Sequence, residues 1–129
     1  MKPETAEWIE KAEGDFRTAG REKNSADYPN YDAACFHAQQ CAEKYLKARL
    51  VEAGKDFPKT HDLSAILNLV LPFEPSWESL REDLEHLTDL GVEVRYPGTT
   101  ADLEDAEEAM RTAQHVRRIV RTALMKVEE

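Results

Sequence analysis

A chain of 129 residues with 26 Asp and Glu against 17 Lys and Arg, net charge −9, has room for one domain and is too acidic to gather nucleic acid by bulk attraction. Any contact with RNA would then rest on local patches of charge. Residues 1–11, MKPETAEWIEK, hold no apolar run of signal-peptide length, and nowhere do about 18 apolar residues follow one another, so we expect a cytoplasmic protein with no membrane span.

Pro3 suits a first helical turn, and the pattern that follows predicts a helix to about Lys23 with Trp8, Ala12, Phe16 and Ala19 on its buried face. Asp15 falls among these apolar positions. A carboxylate there is costly without a donor, so it should find a partner on another helix. The polar segment Asn24–Asn30, with Pro29, turns the chain.

The central stretch runs from Tyr31 to Gly54. At about 100° per residue, Ala34, Ala38, Cys41, Tyr45 and Ala48 form one stripe, with His37, Gln40, Lys44 and Lys47 along its flank. Asn30 is the expected N-cap and Gly54 the expected C′ residue. Small residues on the stripe allow close helix approach. Cys35 and Cys41, six positions apart on one helix, have Cα atoms about 9 Å apart, beyond disulfide reach, and read as buried thiols.

Thr60 is expected to cap a short third helix with Asp62 in its first turn and Leu63, Ile66, Leu67 and Val70 inward, and Pro72 to stop it. Ser76 should cap a fourth helix carrying Trp77, Leu80, Leu84 and Leu87, with Gly91 ending it. After VEVRYPGTTA, Thr99 or Thr100 is the expected cap of a last helix, acidic at its start and basic toward its end, as the macrodipole favours. Leu103, Ala106, Met110, Ala113, Val116, Val120, Leu124 and Val127 would line its inner face. With no strand signal, the expected fold is all-α, an antiparallel up-and-down bundle of about five helices in one domain, 1–129.

Three blocks now stand in order: FHAQQCAEKYLKARL (Phe36–Leu50), KTHDL (Lys59–Leu63) and VRYPG (Val94–Gly98). Together with AEGDFRTA (Ala12–Ala19), they resemble the HEPN domain, the helical family of higher eukaryotes and prokaryotes nucleotide binding. The resemblance implies a homodimer, often encoded beside a minimal nucleotidyltransferase. Many relatives are metal-independent ribonucleases of toxin–antitoxin systems, which place an Arg, then four to six intervening residues, then a His. Arg95 matches that Arg, but Thr100, Ala101 and Asp102 stand where the His is required. Arg81 and His86 have the right spacing but lie within the fourth helix, and Arg111 and His115 miss it. The chain thus resembles the RYP-containing branch without the nuclease motif, for which nucleotide or partner binding is implied.

The candidate ligand groove is lined by Asp15, His37, Gln40, Lys44, Arg95 and Tyr96, with no catalytic residue, cofactor or metal assigned. An Arg fork grips phosphate and an aromatic ring stacks on a base. Each residue also has a structural reading: His37, Gln40 and Lys44 as cross-bundle hydrogen-bonders that orient the first helix through Asp15, and Arg95 as the partner of Asp15 or Glu43. His61 and Asp62 could simply close a helix N-terminus. The alternatives in function are a ribonuclease using Arg95 with His37 or His61 as base, and a dimeric scaffold without a ligand. A stripe of Arg111, Arg118 and Arg121 reads as a solvated face before it reads as an RNA track. Zinc is excluded because Cys35 and His37 point about 160° apart on the wheel.

Overall fold

The computed structural model describes residues 1–128, with side chains described as far as Lys126. Its helices are α1 (Pro3–Asn24), α2 (Tyr31–Glu52), α3 (Leu63–Val70), α4 (Arg81–Glu93) and α5 (Leu103–Glu128), with a 3₁₀ helix, Pro75–Leu80, leading into α4. No strand occurs among the described residues, and no helix there is long and apolar enough to cross a membrane. The architecture is the expected all-α bundle.

Helix α2 is its axis. Asn30 Oδ1 accepts from the Ala33 N–H at 2.9 Å, closing the first turn. At the far end Gly54 adopts φ +71°, its N–H donates to the Val51 carbonyl, and the Lys55 N–H donates to the Leu50 carbonyl. This is a Schellman motif, which an L side chain at position 54 would strain. Ala34, Ala38, Cys41, Tyr45 and Ala48 are fully buried. Around them pack α1, α5, α4 and α3, all four in contact with α2.

Several helix ends fall elsewhere than the sequence suggests. Asp62, not Thr60, caps α3: its carboxylate accepts from the Ser64 and Ala65 N–H groups at 3.0 and 3.3 Å, while Thr60 Oγ1 accepts from the Asp62 N–H. Ser76 caps nothing, because Pro75 opens a 3₁₀ turn that carries Trp77 and Leu80 to the core before the α-helix begins. Asp102 and Asp105 cap α5 in place of Thr99 or Thr100, each side chain accepting from the other's N–H at 2.8 and 3.1 Å. A carboxylate satisfies a free N-terminal N–H more strongly than a hydroxyl does.

On α1, Ala12 and Ala19 are buried, whereas Trp8 and Phe16 are half-buried and the fully buried Thr5 donates to Glu52 at 2.8 Å. On α5, Ala106, Ala113, Val116, Val120 and Leu124 face inward as expected and Met110 partly so. Leu103, in the first turn, is 46% exposed, since the helix begins beyond the edge of the core. Val127 falls outside the residues whose side chains are described.

Gly91 does not end α4; it is buried within it, and the helix continues to Glu93. A Cβ at Gly91 would lie 2.9 Å from both Cβ and Cγ of Gln39, so the missing side chain is what lets α4 reach α2. Gly91→Ala should therefore destabilise the fold by about 1–3 kcal/mol in denaturant titration despite alanine's higher helix propensity. Gly14→Ala, where a Cβ meets nothing within 4 Å, should be neutral or stabilising; equal effects of the two would refute the close-approach account.

Candidate functional site

Asp15 has the partners its position demanded. His37 Nδ1 lies 2.8 Å from one carboxylate oxygen and Lys44 Nζ 2.6 Å from the other. The i, i+7 spacing on α2 puts these two side chains on one face, where the α1 carboxylate bridges them. Gln40 lies between them in sequence but turns aside, donating to Gln39 Oε1 at 2.8 Å.

Through Gln39 the network enters the THDL turn. Gln39 donates to the His61 carbonyl at 2.9 Å, and the buried Glu43 accepts from Lys47 at 3.0 Å and meets His61 Nδ1 at 2.7 Å. Lys47 is itself nearly buried, its ammonium 5.7 Å from the Trp8 ring centre and 5.4 Å from that of Phe57. A carboxylate this deep needs such donors. The outcome is an imidazole held by one nitrogen on a buried carboxylate, with more than half of its side chain exposed.

The Arg-Tyr-Pro connector folds against the N-terminal half of α2. Val94 is buried, and the Ala101 N–H donates to Asp32 Oδ1 at 2.7 Å, tying the far end of the connector to the first turn of α2. Gly98, at φ +101°, allows the bend between them. Arg95 lies with its guanidinium 4.7 Å from the ring centre of Phe36. It takes neither Asp15 nor Glu43, which are already engaged, and forms no ion pair among the described residues.

These elements bound an open groove of about 630 Å³ lined by Phe36, Gln40, His61 and Arg95, with Asn30 and Asp32 at its end. Of the six expected ligand residues, Gln40 and Arg95 line it. Tyr96 is exposed beyond it, and Asp15, His37 and Lys44 form the adjoining tie between α1 and α2. Phe36 joins the two regions, its ring 5.2 Å from that of His37 and nearly perpendicular to it. Sequence reasoning does not assign Phe36 or Asp32 to this region, and it offers Glu43 as a partner of Arg95 instead of His61 and Lys47. The Glu43–Lys47 spacing of i, i+4 is the available signal for a pair.

A second polar cluster secures α1 to α5. Glu13 receives Arg117 at 2.7 Å on each oxygen, Arg121 at 3.2 Å and the Tyr45 hydroxyl at 2.6 Å. Arg121 thus leaves the outward stripe expected with Arg111 and Arg118. The hydrogen bonds from Arg117, reinforced by Tyr45, hold the Glu13 carboxyl down at about 2, while burial and the same carboxylate push Tyr45 up to about 12. Burial raises both thiols, Cys35 to about 12 and Cys41 further. Arg81 is committed to Glu78, Ser64 and Asn68, and His86 faces Glu108 at 3.6 Å, so the pair with nuclease-like spacing does not converge.

An all-α bundle with a buried central helix, a histidine turn pinned to it and an arginine connector folded on its first half is a defined class of helical module. The chain belongs to the HEPN domain family, whose model matches residues 5–123. It is 29% identical over 134 aligned positions to "Putative toxin MJ1304" of Methanocaldococcus jannaschii, covering 91% of this chain and 86% of that protein. The crystal structure of TT1696 from Thermus thermophilus superposes with a TM-score of 0.79 at 26% identity, covering 94% of this chain and 98% of that one. ST0689, described as an archaeal HEPN homologue, superposes with a TM-score of 0.75 at 27% identity over 95% and 98% of the two chains.

The Glu13 cluster gives a pH test. Its carboxyl ionises more readily folded than unfolded, so its contribution is present above the ordinary carboxylate range near 4.5 and is lost as pH falls toward 2. Glu13→Gln should cost about 1–2 kcal/mol at pH 7, allowing for solvent screening, with the difference from wild type closing below pH 4 in denaturant titrations. A penalty constant across pH would contradict this origin.

Proposed function

We propose that this chain is a non-catalytic HEPN module of a toxin–antitoxin-like pair. It acts as a cytoplasmic homodimer and uses the groove beside Arg95 to bind a nucleotide or a minimal nucleotidyltransferase partner. The observation that carries this reading is Arg95 itself: a guanidinium laid on Phe36, exposed, and without an ion pair among the described residues. Such a group keeps its charge and donors for an incoming anion. Gln40 supplies an amide on the groove wall, and Tyr96 is an exposed ring on the same connector for stacking. Asp15, His37 and Lys44 serve in this reading by holding α1 to α2 beside the groove. A volume of about 630 Å³ falls within the range of small-molecule sites. The toxin name of the Methanocaldococcus relative supports the two-component setting.

A second reading has one observation in its favour. His61 lines the same groove as Arg95, with Nδ1 on the buried Glu43, which leaves Nε2 for acid–base work. His37, the other candidate base, meets Asp15 by the same ring nitrogen but does not line this groove. This would be a metal-independent ribonuclease with its histidine supplied by the THDL turn.

Calorimetric titration with ATP and other nucleotides, paired with an RNA cleavage assay in EDTA, separates the readings. The first expects saturable binding weakened roughly tenfold or more by Arg95→Ala, the loss of one charge-assisted contact, and no cleavage. Cleavage abolished by both Arg95→Ala and His61→Ala would install the second. Absence of nucleotide binding, cleavage and partner capture would leave only the scaffold. A minimal nucleotidyltransferase in the adjacent open reading frame is the expected genomic companion.

A further inference from the structure

The groove beside Arg95 sorts its polar groups by type. Of the described residues that line it, Arg95 is the one with a fixed positive charge and Asp32 the one carboxylate. Arg95 rests on Phe36 and keeps its donors for a ligand. The side chains around it are each tied by one atom, which decides what the other atom can do. Asp32 Oδ1 accepts from the Ala101 N–H at 2.7 Å, so Oδ2 is left as an acceptor. Gln40 donates an amide N–H to Gln39 Oε1 at 2.8 Å, so its own Oε1 is left as an acceptor. His61 holds Nδ1 2.7 Å from the buried Glu43, and with the proton there, Nε2 of the neutral ring accepts as well. The charge of Glu43 is offset by Lys47, 3.0 Å from its other oxygen. Asn30 keeps Oδ1 on the Ala33 N–H and turns a neutral amide donor to the end of the groove. At that same end Asp32, in the first turn of α2, offsets the positive pole of the helix dipole.

One cationic fork therefore stands among three acceptors. Ionised phosphate oxygens accept hydrogen bonds and carry charge, so a first phosphate suits Arg95. A second or third would meet Asp32 and the acceptors of Gln40 and His61, with no further cation on the lining. Ribose hydroxyls and the exocyclic amine of a base are donors, and they suit those acceptors.

We propose that the groove selects nucleoside monophosphates: the single phosphate sits on Arg95, hydroxyl or amine donors reach Asp32, Gln40 and His61, and Asp32 turns away di- and triphosphates. The inference rests on the nucleotide reading above and adds the class of nucleotide and the residue that discriminates.

Calorimetric titration of the full chain with AMP, ADP and ATP tests it, in EDTA so that each phosphate keeps its charge. At about 50 mM NaCl, AMP should bind about three- to tenfold more tightly than ATP, with ADP between them, the size of one or two solvent-screened repulsions. Asp32→Asn keeps an oxygen for the Ala101 N–H but removes the charge, and it should bring the AMP and ATP affinities to within about twofold of each other, with circular dichroism confirming the fold. Raising NaCl to about 500 mM on the wild-type chain should close the same gap by screening, which keeps the test open if that variant does not fold. ATP bound as tightly as AMP or more tightly, with the binding lost in Arg95→Ala, overturns this inference and leaves the nucleotide reading standing. A gap that neither Asp32→Asn nor high salt reduces overturns it as well, because the discrimination would then not be electrostatic. No binding of any of the three removes the nucleotide reading and this inference with it.

Discussion

Four helices cover α2, so the charged and amide groups on it have little water to turn to. Gln39, Glu43, Lys47 and Arg49 are all buried there, and each is met from another element or from the neighbouring helical turn. Leaving any of them unpaired would cost several kcal/mol, a large part of the stability of a domain this size. The pairing therefore decides which loop lies where. Glu43 and Gln39 fix the THDL turn, Arg49 holds Glu74 ahead of the 3₁₀ helix, and Asp32 holds the start of α5.

The same economy separates positions that look equivalent on a helical wheel. His37, Gln40 and Lys44 share one flank, yet Asp15 draws the first and third toward α1 while the Gln39 amide draws the second toward the histidine turn. Arg95 arrives after the nearby carboxylates have been claimed, and it rests on an aromatic ring. A cation on a ring keeps its full charge, unlike one neutralised in an ion pair. This is why the connector's arginine, rather than the flank's ammonium, is the group with chemistry to spare.

The outer surface follows a different rule. Charges on α1 and α5 that face each other across the bundle meet in the Glu13 cluster, but the outer side of α5 segregates its own along the helix. On α5 the exposed carboxylates Glu104 and Glu107 lie toward the start and the exposed cations Arg111, Arg118 and Lys126 toward the end, as the helix dipole favours.

Helical periodicity, the small-residue stripe and the polar cap residues determined the bundle, because local side-chain spacing at 3.6 residues per turn decides which faces are buried wherever the helices end up. Asn30, Gly54 and the need of Asp15 for a donor were legible for the same reason, as was the family through its three ordered blocks. Helix starts were less so, since a hydroxyl and a carboxylate one or two positions apart compete for the same N–H groups and tertiary contacts choose between them. Only the folded chain could decide that Gly91 makes room for Gln39, that Phe36 carries Arg95, and that His61 rather than His37 shares its groove. Each depends on atoms brought together from distant parts of the chain, and one-dimensional spacing carries no record of which carboxylate reaches a given cation first.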